Sequence, residues 1–364
     1  MAEAKSRERT VHLKKLNELK TLLPWYVVEY IDVKKKNKMS PSTLSQYSRD
    51  FIRFLKWLIE QKITEATSIK DIPHQVLGNL RKDDVETYIE SLEVDRELSE
   101  ETINRNISSL KSLFKYLSTQ TEDQDGECYF YRNVLAKVNL IRNTNDDSQK
   151  AALVAAKIFQ GNTDKEFMRY LIEDYPLKLS KQGLSHYKRN CERDLAMISL
   201  FLGSGVRVSE LVQLTLDDIN FQNNTLKVLR KGNNKSVIKA TKSSLDDVKQ
   251  YLKVRKDRYR VPDSQKYVFV TNYRKECAPL SVRAVQHIVG KYTKSFAMKM
   301  SPHKFRHTFA TKFYLVNKDQ VSLMRQLGHN SIQTTTIYTN MDMTEMEKQM
   351  DALDEYEADD ELDK

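Results

Sequence analysis

The sequence predicts a mainly α-helical protein of two domains with one small β-hairpin. Three observations carry that reading. Apolar residues recur at three-and-four spacing over long stretches, the period of a helix with one buried face. Only nine Gly and seven Pro punctuate 364 residues. A single alternating, β-branched segment interrupts the helical pattern around a Gly/Asn turn. At ~150 residues per domain the length gives two domains, each able to bury a core without disulfide or metal staples. A hydrophobic fraction of 40% excludes wholesale disorder.

The elements follow in order. Residues 1–24 form a helical extension, with a first helix near Val11–Leu23 placing Leu13, Leu16, Leu19 and Leu23 on one face. Residues 25–158 form a helical domain. In it Ser40-Pro41-Ser42 reads as a helix start, and Thr43–Glu60 turns Leu44, Tyr47, Phe51, Phe54, Leu55 and Leu58 to one side, with Arg49, Arg53 and Lys56 between them. Further helices are expected at Asp83–Glu93 and Ser99–Thr119, the latter with Ile103, Ile107, Leu110, Leu113, Phe114 and Leu117 inward. Polar punctuation at Asn143–Ser148 and at Gln160–Thr163 marks a hinge region, with a linker at 159–165. The second domain, 166–341, has helices at Phe167–Tyr175 and Leu184–Gly203. Thr225–Leu229 and Lys235–Ala240 then flank Lys231-Gly232-Asn233-Asn234 as a hairpin, and helices resume from Leu245. Residues 342–364 are an acidic tail whose Met343, Met346, Met350 and Leu353 make one apolar stripe of a short helix.

The net charge of +10 is uneven: the tail carries −9, leaving +19 on the rest. That balance favours a polyanionic partner, nucleic acid before an anionic membrane surface. Three scattered cysteines, Cys128, Cys191 and Cys277, offer neither a disulfide framework nor a zinc knuckle. The polar N-terminus and the lack of a long apolar run point away from a membrane and to a cytoplasmic, nucleoid-associated protein.

Three segments of the second domain carry chemistry. In Gly203-Ser204-Gly205-Val206-Arg207-Val208-Ser209-Glu210-Leu211, an apolar helix ends at a glycine pair and Arg207 opens the next helix. There its planar fork can meet a phosphate, or pair with Glu210. In Ser301-Pro302-His303-Lys304-Phe305-Arg306-His307, the residues His303, Arg306 and His307 share one helical face. A cation between the two His opposes metal binding, and the face suits an anion. In Leu327-Gly328-His329-Asn330-Ser331, His329 sits on a Gly-bounded turn, and Tyr338 follows in a Thr-rich stretch. Taken together, two Arg, several His, a turn Lys and a Tyr are what phosphodiester chemistry needs. Arginines neutralise the charge building on phosphorus, His and Lys exchange protons, and a Tyr surrounded by them can attack. There is no P-loop and no dense acidic cluster in this domain, so neither a metal nor a cofactor is expected.

The segments GSGVRVSEL, SPHKFRHTFAT and LGHNSIQTTTIYT, in this order, resemble the signature boxes of the tyrosine recombinases of phage-integrase type. The resemblance is strong over about residues 165–345 and looser before. It implies a helical core-binding, SAM-like domain and a mixed α/β catalytic domain forming a clamp on duplex DNA. It also implies roles: Arg207 and Arg306 as phosphate-binding arginines, Lys231 as general acid, His303 and His329 at the two histidine positions, Tyr338 as nucleophile. Lys235 competes for the general-acid role, because the turn reads KGNNK.

Around Leu22-Leu23-Pro24-Trp25-Tyr26-Val27 the chain is similar to single-protein Xer recombinases of streptococcal type, which resolve chromosome dimers at cell division. About two dozen residues before Pro24 are too few for the arm-binding domain of many integrases. The implied course is a 3′-phosphotyrosine intermediate, a Holliday junction and no cofactor. The implied partners are double-stranded DNA with inverted-repeat half-sites, a homodimer on one site, a homotetramer in synapsis and a septal DNA translocase. The tail would dock on a neighbouring subunit, or pack on its own core. The alternatives are an integrase or resolvase of a phage or transposon, sharing type IB topoisomerase-like chemistry, and an inactive sequence-specific DNA-binding protein.

Overall fold

The computed structural model describes residues 2–94, 96–141, 152–230, 235–273 and 276–328. The chain divides into two compact units at Thr144/Asn145. The tail 342–364 and the polar stretch Asn143–Ser148 lie outside the described residues. No helix among the described residues is long and apolar enough to cross a membrane.

The first unit is built from α1 (Ala2–Lys20), α2 (Trp25–Lys36), α3 (Pro41–Glu60), α4 (His74–Asn79), α5 (Lys82–Glu93) and α6 (Glu100–Thr119). The expected first helix at Val11–Leu23 begins earlier and ends at Lys20. Pro24 is then the N-cap of α2, where its missing N–H costs nothing. The start at Ser40-Pro41 is as expected: Ser40 Oγ accepts from Thr43 N at 3.1 Å. The inward faces of α3 and α6 meet as their spacing predicts. Phe51, Phe54, Leu58, Ile107, Leu113 and Phe114 are all buried, and Phe54, Trp57, Tyr88 and Phe114 make an edge-packed aromatic group. Asn104 closes the unit by exchanging two hydrogen bonds with the backbone of Ile141, at 2.8 and 2.9 Å. Two tyrosine hydroxyls, Tyr116 and Tyr129, donate to Glu29.

The second unit is organised around α8 (Lys181–Ser204), preceded by α7 (Thr163–Glu173). The linker expected at 159–165 runs into this unit. Ile158 and Phe159 are buried, Phe159 N donates to Thr308 Oγ1 at 3.2 Å, and α7 starts at Thr163. Apolar side chains here belong to the second core, so the unit boundary falls at the polar stretch before them. After a short α9 (Val208–Leu211) come β1 (Ile219–Asn220), β2 (Thr225–Leu229) and β3 (Lys235–Lys239), in sheet order β1-β2-β3. β2 and β3 pair antiparallel, with Leu229 opposite Lys235, which is the expected hairpin.

The chain continues through α10 (Lys242–Tyr259), β4 (Val270–Tyr273), β5 (Glu276–Pro279), α11 (Val282–Ser295), α12 (Pro302–Asn317) and α13 (Gln320–Leu327). The β4–β5 hairpin corrects the expectation of unbroken helices after Leu245. Its strands are four residues each, too short for a period to register. β4 has a tertiary partner, Arg193 Nη1 donating to Val270 O at 3.1 Å, and Arg255 Nε holds the approach to it through Val268 O at 2.9 Å. α8 and α10 pack side by side. Met197, Leu200, Phe201, Leu245, Val248, Val289 and Phe305 fill the core between the helices and the sheet.

Candidate active site

The site is assembled from the ends of helices. α8 is apolar from Leu195 to Leu202 and stops at Gly205, which takes φ +64° and closes the helix in the left-handed conformation. A Cβ there would lie 2.4 Å from Phe309 Cδ1, so this helix end is pressed against α12. Two residues on, Arg207 is the N-cap of α9. Glu210 returns to it twice: Oε2 accepts from the Arg207 backbone N at 2.9 Å and Oε1 from Nη1 at 2.9 Å. The pairing left open by the sequence is therefore present, but it occupies one edge of the guanidinium. Arg207 Nη2 reaches the Gly328 carbonyl at 3.1 Å, and 36% of the side chain is exposed while Glu210 is buried.

α12 supplies the second arginine. Ser301 caps the helix and Pro302 occupies its first turn. Phe305 and Phe309 turn into the core as expected. That leaves Arg306 4% exposed on the other face, with Nη1 donating to Gly205 O at 2.6 Å and Nη2 to Leu327 O at 2.5 Å. His303 and His307, one turn apart, stand edge to face with ring centroids 4.4 Å apart. His303 is exposed by surface area, but protein packs densely on its inner side. That desolvation first, and the charges of Arg306 and Arg207 second, push its pKa below the ordinary imidazole value. The ring is thus open to solvent on one side and favoured in its neutral form.

A third arginine joins these two. Arg230, just past β2, donates from Nη1 to Arg325 O at 3.3 Å and from Nη2 to Gln326 O at 2.7 Å. The last turn of α13 is thus an acceptor for Arg207, Arg230 and Arg306. The final four carbonyls of a helix have no partner inside it, and the helix dipole gives them partial negative charge. The non-bridging oxygens of a phosphodiester offer the same features, a compact set of negative acceptors. Arg207, with an exposed edge, and Arg306, beside it on the neighbouring carbonyl, can grip such oxygens. His303 can take or give a proton at the same place.

Of the expected site residues, the fold brings Arg207, His303 and Arg306 together. Lys231, His329 and Tyr338 lie outside the described residues. Lys235, the competing lysine, is exposed at the start of β3. The sequence reading passed over Arg230 and Gln326. A signal for Arg230 existed: it continues the alternation of Leu226 and Val228, the inward positions of β2, where a cation is out of place.

Residues 181–345 match the phage integrase family, and residues 27–121 match the phage integrase N-terminal SAM-like domain. The chain is 37% identical over 354 residues to the tyrosine recombinase XerS of Streptococcus sanguinis (strain SK36), covering 95% of this chain and 99% of that protein. It is 38% identical over 355 residues to the tyrosine recombinase XerS of Streptococcus mutans, covering 95% and 99%. Among solved structures, the fold resembles the XerH site-specific recombinase bound to palindromic difH substrate in a post-cleavage complex. That match has a TM-score of 0.65 at 18% identity over 87% of this chain and 81% of the other.

Proposed function

The chain belongs to the phage integrase family of tyrosine recombinases, enzymes that cut and rejoin DNA, and from that premise we propose how its residues carry out site-specific recombination on double-stranded DNA. Arg207 and Arg306 hold the non-bridging oxygens of the scissile phosphate and offset the charge that grows on them in the transition state. Tyr338 Oη attacks phosphorus, its proton passing to His303, which the low pKa keeps neutral. The P–O5′ bond breaks as Lys231 gives a proton to the departing 5′ oxygen. The products are a 3′-phosphotyrosine and a free 5′-hydroxyl. A 5′-hydroxyl from the partner duplex reverses the step, which makes a Holliday junction and conserves the bond energy without a cofactor. His329 donates a hydrogen bond to the phosphate.

The observation that carries this reading is the convergence of Arg207 and Arg306 on adjacent carbonyls, Gly328 O and Leu327 O, with His303 in the field of both. Similarity to XerS proteins over nearly the whole length supports a biological role: resolution of chromosome dimers at cell division, in the cytoplasm, by a homodimer on each inverted-repeat site and a homotetramer in synapsis. The first unit supplies the core-binding domain and the second the catalytic domain.

The test is a nicked suicide duplex on which the broken strand cannot be rejoined. Wild-type protein becomes covalently attached, in EDTA as in Mg²⁺, and Tyr338→Phe does not. Attachment that persists in Tyr338→Phe removes the proposed nucleophile.

A further inference from the structure

Arg230 follows the last residue of β2, and strand alternation puts its side chain on the face of the buried Leu226 and Val228. A guanidinium on an inward face is costly unless its donors are used. Both terminal nitrogens are used, on the carbonyls of Arg325 and Gln326, and Nε is buried with no hydrogen-bond partner among the described residues. The contact is reciprocal. Gln326 Nε2 donates to Lys239 O at 2.7 Å and to Ser204 O at 2.9 Å, and its Oε1 accepts from Lys239 N at 3.0 Å. The hairpin is therefore tied to α13 at both ends, by Arg230 near the turn and by Gln326 at the far end of β3. Gly328 completes the fit: it has φ +63°, and a Cβ there would stand 1.6 Å from Arg230 Nη1 and 2.1 Å from its Cζ.

We infer that Arg230 is a positioning residue for strand cleavage, clasping the turn end of the β2–β3 hairpin to the C-terminal turn of α13. Lys231 and His329 continue the chain directly from the two clasped points, Arg230 and Gly328. The clasp thereby sets how far apart the general acid and the phosphate-contacting histidine begin. The inference rests on the role proposed for Lys231, and the experiment separates the two.

Single-turnover cleavage is measured on the ordinary suicide duplex and on one whose scissile 5′ oxygen is replaced by sulfur, a leaving group that departs without a proton. Arg230→Ala should lower cleavage of the ordinary substrate ~100-fold at saturating DNA, the scale of a group misplaced by about 1 Å. Half-site affinity should stay within about threefold. Arg230→Lys keeps the charge but not the two-pronged geometry, and should stay close to Arg230→Ala. It also keeps the test valid if thermal unfolding shows that Arg230→Ala fails to fold. On the sulfur substrate both variants should recover, as Lys231→Ala does.

Wild-type cleavage by Arg230→Ala and Arg230→Lys overturns the inference, as does a loss that persists on sulfur while Lys231→Ala recovers. If Lys231→Ala itself does not recover, the role of Lys231 fails, and the clasp is then judged by a double-mutant cycle. Gly328→Ala should cost less cleavage in the Arg230→Ala background than in wild type; equal costs overturn it.

Discussion

Asp50 in the first unit and Glu210 in the second are both buried carboxylates facing arginines, and the two units treat them oppositely. Glu210 is closed: each oxygen accepts a 2.9 Å hydrogen bond from Arg207, one from its side chain and one from its backbone. Asp50 is loosely held. Its Oδ1 has Arg53 and Gln46 at 3.4 Å, and its Oδ2 has, among the described residues, Arg105 at 3.6 Å, beyond hydrogen-bond reach. Burial dominates there and raises the Asp50 pKa against the pull of the two arginines. Tight pairing fixes one orientation of Arg207, as transition-state stabilisation demands. Loose pairing fixes neither Arg53 nor Arg105 in a single orientation.

Breaking the tight arrangement should have the largest effects. Arg306→Ala and Arg207→Ala should each slow covalent attachment to the suicide duplex by ~100–1,000-fold, while gel-shift binding of a half-site persists. Equal loss of binding and cleavage would place the two arginines in affinity rather than catalysis.

Glu210→Gln comes next. It keeps the shape but removes the charge that orients Arg207. Cleavage should fall by ~10–100-fold, on the scale of losing an orienting partner. Stability in urea should fall by about 1–2 kcal/mol, less than for a fully buried pair because Arg207 is partly exposed.

The pH profile sharpens the same region. His303, the proposed base, must be neutral to act, and its pKa is lowered. The pH–rate profile for cleavage should therefore be flat through neutrality and drop only below the ordinary imidazole range of about 6.5. His303→Gln should abolish that limb. A limb at or above about 6.5 would mean that neither burial nor the neighbouring arginines depress the pKa of this ring.

The smallest effect is expected at Asp50. Its folded pKa lies above the unfolded value, so its contribution is full below the ordinary carboxylate pKa and is lost as pH rises through the raised one. Asp50→Asn should therefore be at least as stable as wild type at pH 7, within about 1 kcal/mol, with the difference vanishing below pH ~4. Marked destabilisation at pH 7 would show the Asp50–arginine contacts to be as firm as those of Glu210.

Much of this was legible in local order. The N-caps Ser40 and Ser301, the buried faces of α3 and α6, and the β2–β3 hairpin all follow from residues within a few positions of one another. The order of the three signature boxes carried the family, and with it Arg207, His303 and Arg306. The β4–β5 hairpin did not announce itself, because four-residue strands, the first held by Arg193 from α8, leave no period behind. Nor did the joining of Phe159 to the second core, which depends on Thr308 almost 150 positions away.

By itself, then, the sequence determined which helices form, which faces they bury and which chemical groups are on offer, because those follow from spacing and capping along one chain. The tertiary structure alone decided what those groups hold. Arg207, Arg230 and Arg306 meet on the last turn of α13 because helix-end carbonyls must find donors. The donors come from 21 to 121 positions away, a distance over which no local pattern can speak.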